Sequence, residues 1–321
     1  MVLEPVKIGS LTCIPLHPTF GAEIRGVDFS VRPLPDNVIK DIVTAQHKFG
    51  VTVYRNTGLN DQSHVAFSYQ LGELEMCPKL NGPNQPPRFS EPELFDAGNT
   101  DMEGNIIKKN SRSKGNALWH TNSKWWKLID IVQDSSFNQR RSKYSLLLAH
   151  MIPAKGGDTM YADVRTAYKD LPQSKKDELK DLVVCHNLWH SRKVAAPEEF
   201  KDATEYEMSQ KPPAYHKLVQ AGPDGRETLF IAAHAEYIVG KPREEGQKLI
   251  KELLEHCIQP QYTLAVKWST PGDLVFWDNR ITMHRATPFS DQMEKRDMRR
   301  TTVFDDSPTA YGVEPSTLMP L

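Results

Sequence analysis

Short apolar segments that alternate with turns constrain the fold of this chain more than any other feature. Residues 143–152, 273–277 and 300–304 have the length and composition of strands and are bounded by turn residues. Residues 170–184 and 243–257 instead have the apolar spacing of helices. Many short strands with interspersed helices favour a jelly-roll core with flanking helices, a β-rich α+β fold, over a parallel α/β sheet.

The chain is predicted to form a single domain over residues 1–321. It contains no internal repeat, no low-complexity tract and no clear linker. Residues 81–110 are rich in Pro, Gly, Asn and Asp and have little periodicity, which indicates a long loop. Long loops of compact domains are often active-site lids, so we expect a lid here.

The composition excludes several classes of partner. With 40 Lys and Arg against 41 Asp and Glu, the net charge of −1 gives no electrostatic reason to expect nucleic acid or an anionic membrane. No signal peptide is evident, and no apolar run approaches the length of a membrane span. The four cysteines form no C-x-x-C pair, which fits a reduced cytoplasmic protein.

A histidine and an aspartate that are separated by an unusual stretch point to a metal site. Without residues 122–133 the chain would read Leu-Trp-His120-Thr-Asp134-Ser-Ser-Phe. A His-x-Asp pair can supply two of the three protein ligands of a non-haem Fe(II) site, and a later histidine supplies the third. His284 is the candidate for that third ligand. A single histidine is more often a surface or core residue than a ligand, so the prediction depends on the combination.

Two arginines near the C-terminus indicate a site for anions. Arg296 and Arg300 are four residues apart, and positions with this spacing on a strand point to the same face. Two guanidinium groups in one cavity are costly unless anions meet them. The alternatives are a solvated edge strand, or an internal pair between Arg300 and Asp278 or Asp297. Gly156 and Gly157 could likewise form an ordinary hairpin turn.

These motifs together resemble the taurine and 2,4-dichlorophenoxyacetate dioxygenase family, whose members depend on Fe(II) and 2-oxoglutarate. The resemblance extends over nearly the whole chain, and its most specific segments are 17–28, 65–74, 156–163, 277–284 and 296–302. It implies a double-stranded β-helix, which is the jelly-roll form of this family, with an active-site lid. It also implies an oxidoreductase that converts 2-oxoglutarate and O2 to succinate and CO2 while it oxidises a substrate C–H bond.

The resemblance assigns roles to individual residues. His120 and His284 correspond to the imidazole ligands of the iron, and Asp134 corresponds to the carboxylate ligand. Thr159 and Arg296 correspond to the pair that binds the distal carboxylate of 2-oxoglutarate. Arg300, and with less support Asn116, correspond to residues that face the substrate. The expected substrate is therefore a small anion such as a carboxylate or a sulfonate, while the oligomeric state, including a homo-oligomer, stays open.

The segment 122–133 departs from the family pattern. The spacing from Asp134 to Thr159 agrees with the family, so the extra residues precede Asp134, and neutral Asn122 only occupies its place after His-Thr. Loop entropy grows slowly with length, so Asp134 could still reach the iron. Two alternatives follow: a catalytically impaired relative, or a retained intron or other gene-prediction error that disrupts the iron site. A metal-dependent hydrolase on a similar barrel is a third, but it leaves Thr159, Arg296 and Arg300 unexplained.

Overall fold

The computed structural model describes residues 3–77, 88–107, 135–195, 197, 200, 202–291 and 293–318. Asn116, His120, Asn122, Asp134 and the 122–133 insert lie outside these residues, so the predictions about them stay predictions. Of the expected lid, residues 88–107 are described, and 81–87 and 108–110 lie outside.

The described strands are short and are distributed over the whole chain. In order they are β1 (Val6–Ile8), β2 (Leu11–Pro15), β3 (Ala22–Arg25), β4 (Val51–Tyr54), β5 (Phe95–Asp96), β6 (Ser142–Met151), β7 (Thr159–Asp163), β8 (Val183–His186), β9 (Ala214–Lys217), β10 (Val219–Ala221), β11 (Glu227–Leu229), β12 (Ala235–Ile238), β13 (Thr263–Val266), β14 (Leu274–Asp278), β15 (Thr282–Ala286) and β16 (Asp297–Phe304). The described α-helices are α1 (Asp36–Phe49), α2 (Asp61–Tyr69), α3 (Val164–Lys169), α4 (Gln173–Leu179), α5 (Leu188–Ala195), α6 (Glu205–Gln210) and α7 (Arg243–Cys257).

The larger sheet has eight strands in the order β1-β2-β3-β4-β14-β6-β16-β5. Neighbouring strands run antiparallel except for β3 and β4, which are parallel. The first eight residues of β6 are buried, because β14 and β16 flank this strand and its two faces contact different parts of the core. Burial on both faces explains why β6 has a nearly continuous apolar run rather than an alternating pattern.

A smaller antiparallel sheet, β13-β7-β15, packs against one face of the larger sheet. Between the two sheets lies an apolar cluster that includes Leu147, Val275, Trp277 and Met298 of the larger sheet and Tyr161 of the smaller one. We call this cluster the inter-sheet core. Two mainly antiparallel sheets on a shared core form the predicted jelly roll, and the β-rich α+β fold is confirmed.

Helices cover the outer faces of the two sheets. Ile42, Ala45 and Phe49 of α1 pack against the face of the larger sheet that carries Leu146 and Leu148. On the side of the smaller sheet, α7 buries an apolar face, and its bounds equal the predicted 243–257. Of the described helices, none combines the length and apolar character that a bilayer crossing requires.

One predicted element is partly wrong. Residues 170–184 were expected to be helical, but α4 ends at Leu179, and Val183 begins β8. The β-branched pair Val183 and Val184 lies between β9 and β12 in a third sheet, β12-β8-β9. Pairing with strands that come about 30 to 55 residues later overrides the local helical pattern.

Candidate active site

The predicted ligand His284 lies on β15, with its ring between the two sheets. It is paired in register with Tyr161 of β7. Its ring centroid lies 4.8 Å from that of Trp277 and 6.2 Å from that of Tyr161. The residue is 9% exposed. The neighbouring aromatic rings therefore orient the imidazole and shield it from bulk water.

Thr159 lies on the same face of the smaller sheet as Tyr161, because the two residues are two positions apart on β7. It pairs with Ala286, which is two residues beyond His284, so the hydroxyl and the imidazole lie side by side. Thr159 is 3% exposed, and its Oγ1 has no hydrogen-bond partner among the described residues. A buried hydroxyl without a partner is unfavourable, so this atom is suited to bind a ligand.

Arg296 lies immediately before β16 and is 6% exposed. Its Nη1 donates to the Ala97 carbonyl at 2.7 Å, and its Nε donates to the Gly157 carbonyl at 3.3 Å. No ion pair joins it to an acid within the described ranges. Burial lowers the pKa of Arg296 to about 10, and the charges of Tyr161 and Asp158 oppose this shift. A buried cation whose described side-chain hydrogen bonds are to carbonyls is suited to bind an anion.

Gly157 permits this arrangement. Its φ of 70° is in the left-handed region, and a Cβ at this position would lie 2.7 Å from Pro153 Cγ and 3.5 Å from Arg296 Cδ. The neighbouring Gly156 forms a bridge with Phe289. The glycine pair is therefore not the hairpin turn of the alternative interpretation, because it connects β6 of the larger sheet to β7 of the smaller sheet. The Gly157 carbonyl in this connection orients Arg296.

Arg300 lies within β16, opposite Leu147 on one side and Phe95 on the other. It is two positions from Met298 of the inter-sheet core, and its guanidinium lies 4.6 Å from the centre of the Phe95 ring. The interpretation of β16 as an edge strand is wrong, because β5 and β6 flank it.

The two acids that the sequence offered as alternative partners of Arg300, Asp278 and Asp297, pair with other arginines. Asp278 accepts from Nε and Nη2 of Arg280 at 2.9 and 2.7 Å. Asp297 accepts from Arg299 Nη2 at 2.9 Å and also pairs with Arg88. Both carboxylates are therefore compensated by arginines other than Arg300.

Comparison with known proteins decides the family. The model of the taurine catabolism dioxygenase TauD, TfdA family matches residues 13–302. The chain belongs to the TauD/TfdA dioxygenase family. The predicted family and the predicted class of enzyme, a dioxygenase and hence an oxidoreductase, are confirmed.

Individual members of the TauD/TfdA family are similar over nearly their whole length. The α-ketoglutarate-dependent 2,4-dichlorophenoxyacetate dioxygenase of Cupriavidus pinatubonensis is 34% identical over 305 residues, which cover 93% of this chain and 99% of the relative. The enzyme of the same description from Burkholderia sp. is 35% identical over 294 residues, or 89% and 92% of the two chains. The crystal structure of AAD-2 with Mn(II) and N-oxalylglycine has a TM-score of 0.78 at 32% identity, covering 93% of this chain and 98% of the other.

The described part of this TauD/TfdA site fits an anionic cosubstrate beside a metal. Arg296 offers a buried cation with no ion pair among the described residues, Thr159 offers a hydroxyl with no described partner, and His284 offers an imidazole next to them. Among the described residues, no group of three or more His, Cys, Asp or Glu could hold a metal ion. This agrees with a ligand set of which two predicted members, His120 and Asp134, lie outside those residues.

Several residues at the site were not predicted. Tyr161 and Trp277 form an aromatic wall beside His284, and Phe95 contacts Arg300. Tyr161 and Trp277 lie within the segments 156–163 and 277–284, which also contain predicted site residues. This closeness in sequence could have identified them as residues of the site. The carbonyls that orient Arg296, those of Ala97 and Gly157, are backbone groups. The residue types at these positions therefore gave no indication of these contacts.

Proposed function

We propose that the chain is an Fe(II)- and 2-oxoglutarate-dependent dioxygenase that hydroxylates a small organic anion. In the overall reaction, 2-oxoglutarate, O2 and substrate R–H give succinate, CO2 and R–OH. The observation that supports it most is Arg296, a buried cation that contacts two carbonyls and pairs with no described acid, close to Thr159 and Tyr161. A ligand carboxylate would compensate this charge.

The proposed roles follow from the positions of the side chains. Arg296 and the Thr159 hydroxyl bind the distal carboxylate of 2-oxoglutarate. The metal ligands are His284, His120 and Asp134, and Fe(II) bound there supplies the activation of O2. Tyr161 and Trp277 hold the His284 ring in place and exclude water from its sides.

The proposed substrate class follows from Arg300. This guanidinium is half-buried over Phe95 on a strand that also borders the inter-sheet core. A substrate carboxylate or sulfonate would form a hydrogen-bonded pair with the Arg300 guanidinium and place an apolar body against Phe95, with Asn116 as a second polar contact. The two relatives above, which act on 2,4-dichlorophenoxyacetate, support this class, because that compound is a small aromatic carboxylate.

We further propose that residues 1–321 form one domain and that the enzyme acts in a reducing compartment such as the cytoplasm. Cys13, Cys77, Cys185 and Cys257 form no disulfide bond in the described structure. Free and mostly buried thiols are typical of reduced proteins.

The test is succinate formation by purified protein with Fe(II), 2-oxoglutarate and a panel of phenoxyacetates, alkyl carboxylates, alkyl sulfonates and neutral analogues of the same shape. We expect anionic compounds, and not their neutral amides, to stimulate succinate release. A variant that lacks residues 122–133 is measured in parallel. If the deletion variant alone is active, the insert disrupts the iron site and the impaired relative is the correct interpretation. If neither protein forms succinate with any compound, the proposed function is wrong.

A further inference from the structure

The four residues that follow Asp134 form a turn with an unfavourable backbone. Asn138 donates its backbone N–H to the Ser135 carbonyl at 2.9 Å, which closes a turn over residues 135–138. Ser135 has a φ of 60°, in the left-handed region that a residue with a Cβ rarely adopts. Such a conformation persists only where the surroundings hold it, and it often marks a functional site.

A single carboxylate, that of Glu75, holds both ends of this turn. Its Oε2 accepts from Ser135 Oγ at 2.6 Å, and its Oε1 accepts from Asn138 Nδ2 at 2.7 Å. Glu75 is itself anchored, because its backbone N–H donates to the Thr302 carbonyl of β16 at 2.8 Å. The turn is therefore tied to the strand that carries Arg300.

The middle of the turn is held from another direction. The buried His186 of β8 has its Nδ1 3.2 Å from Ser136 Oγ. The ring of Phe137 packs edge-on against that of His234 at 4.7 Å, and His234 in turn contacts Ser191 at 2.8 Å. Every residue of the turn thus has a specific contact, and none of these contacting residues has a role in the proposed reaction.

We infer that Glu75 is a positioning residue for the metal site, and this inference rests on the proposed function, in which Asp134 is a ligand. One peptide bond joins Asp134 to Ser135, so fixing Ser135 limits the positions that the Asp134 carboxylate can take. Groups that orient metal ligands without touching the metal change metal affinity by about 10- to 100-fold when they are removed. Glu75 contacts neither the substrate nor any described candidate ligand.

The experiment is equilibrium binding of Mn(II) to the metal-free full chain, followed by the electron paramagnetic resonance signal of free Mn(II). Glu75→Ala is expected to raise the Kd for Mn(II) by about tenfold or more. Glu75→Gln is expected to retain most of the affinity, because its amide can accept from Asn138 and donate to the Ser135 hydroxyl. The control is Glu73→Ala, which removes a neighbouring exposed carboxylate that pairs with Arg140 beyond the turn, and it should leave the Kd unchanged.

Two further variants separate positioning from a general loss of structure. Ser135→Ala removes one of the two contacts to Glu75 and should raise the Kd by less than Glu75→Ala does. In an Asp134→Ala background, Glu75→Ala should have no further effect on Mn(II) binding. A general structural defect would instead lower the melting temperature by the same amount in the wild-type and the Asp134→Ala backgrounds.

The outcomes distinguish this inference from the proposed function. If Asp134→Ala and His284→Ala lose Mn(II) but Glu75→Ala binds it like the wild type, the role of Glu75 is wrong and the ligand set stands. If Asp134→Ala binds Mn(II) like the wild type, the ligand set is wrong, and the inference about Glu75 is overturned with it. If Glu75→Ala does not fold, Ser135→Ala and Glu75→Gln provide the test. An unchanged Kd for Mn(II) in Ser135→Ala then overturns the inference.

Discussion

Replacement of Arg296 by lysine should weaken the binding of 2-oxoglutarate selectively. A guanidinium has five N–H donors in a fixed plane. One on Nη1 donates to Ala97 and the one on Nε donates to Gly157, so the second N–H of Nη1 and both of Nη2 remain for a ligand. The outer N–H groups of Nη1 and Nη2 are parallel, which is the geometry of a bidentate carboxylate pair.

Lysine keeps the charge but lacks the two parallel N–H donors, and it loses the hydrogen bonds to the Ala97 and Gly157 carbonyls. It can make at most one strong bond to the carboxylate from a position that is less well fixed. The loss of one charge-assisted hydrogen bond corresponds to about 1.5–3 kcal/mol. At about 1.4 kcal/mol per factor of ten, the KM for 2-oxoglutarate should rise by about 10- to 100-fold.

The assay measures the initial rate of succinate formation, first with 2-oxoglutarate varied at saturating primary substrate and then with the primary substrate varied at saturating 2-oxoglutarate. The KM of the primary substrate should change by less than about threefold. Arg299→Lys is the matched control, because Arg299 follows Arg296 by three residues but pairs with Asp297 and Asp61. An unchanged KM for 2-oxoglutarate in Arg296→Lys would remove Arg296 from the cosubstrate site.

Three other variants test the remaining parts of the site. Arg300→Ala should raise the KM of the anionic substrate by about tenfold or more yet spare the substrate-free decarboxylation of 2-oxoglutarate, and a parallel loss of both activities would make Arg300 structural. Asp134→Ala should abolish turnover while Asn122→Ala leaves it nearly intact, and the reverse result in the succinate assay would exchange their roles. Gly157→Ala should raise the KM for 2-oxoglutarate, because the new Cβ would meet Pro153 and displace the carbonyl that orients Arg296. Gly104→Ala, with a similar φ of 76° but no atom within 4 Å, should lower the melting temperature only, so equal KM changes in the two variants would refute this reasoning.

The strands of the core could be predicted because their apolar composition indicates that they are buried. The run from Tyr144 to Ala149 in β6 is apolar on both faces, and the structure buries both faces. The spacing of Arg296 and Arg300 predicted one strand face, but Arg296 precedes β16 and the register shifts between Asp297 and Met298. Gly156 and Gly157 were interpreted as a possible hairpin turn, whereas they connect strands of different sheets. The contact of the Gly157 carbonyl with Arg296 was not predicted, because a backbone acceptor cannot be inferred from the residue type.

The third sheet could not be predicted from local pattern. β8, β9 and β12 have four residues each, and their pairing joins His186 to residues about 28 and 49 positions later. Strands this short show no clear period, and their pairing depends on contacts that form only in the folded chain. The contact between His186 and Ser136 belongs to the same class, because it joins residues 50 positions apart.

The two-residue strand β5 has a consequence for how the two ligand sites communicate. Phe95 packs under Arg300, and two residues later the Ala97 carbonyl accepts from Arg296. A substrate that moves Phe95 must therefore disturb the support of the cosubstrate arginine, and 2-oxoglutarate must act on Phe95 in return, since thermodynamic coupling between two binding equilibria is reciprocal. Substitutions in this segment that widen the range of accepted substrates should thus also change the affinity for 2-oxoglutarate, which limits how independently the two specificities can evolve.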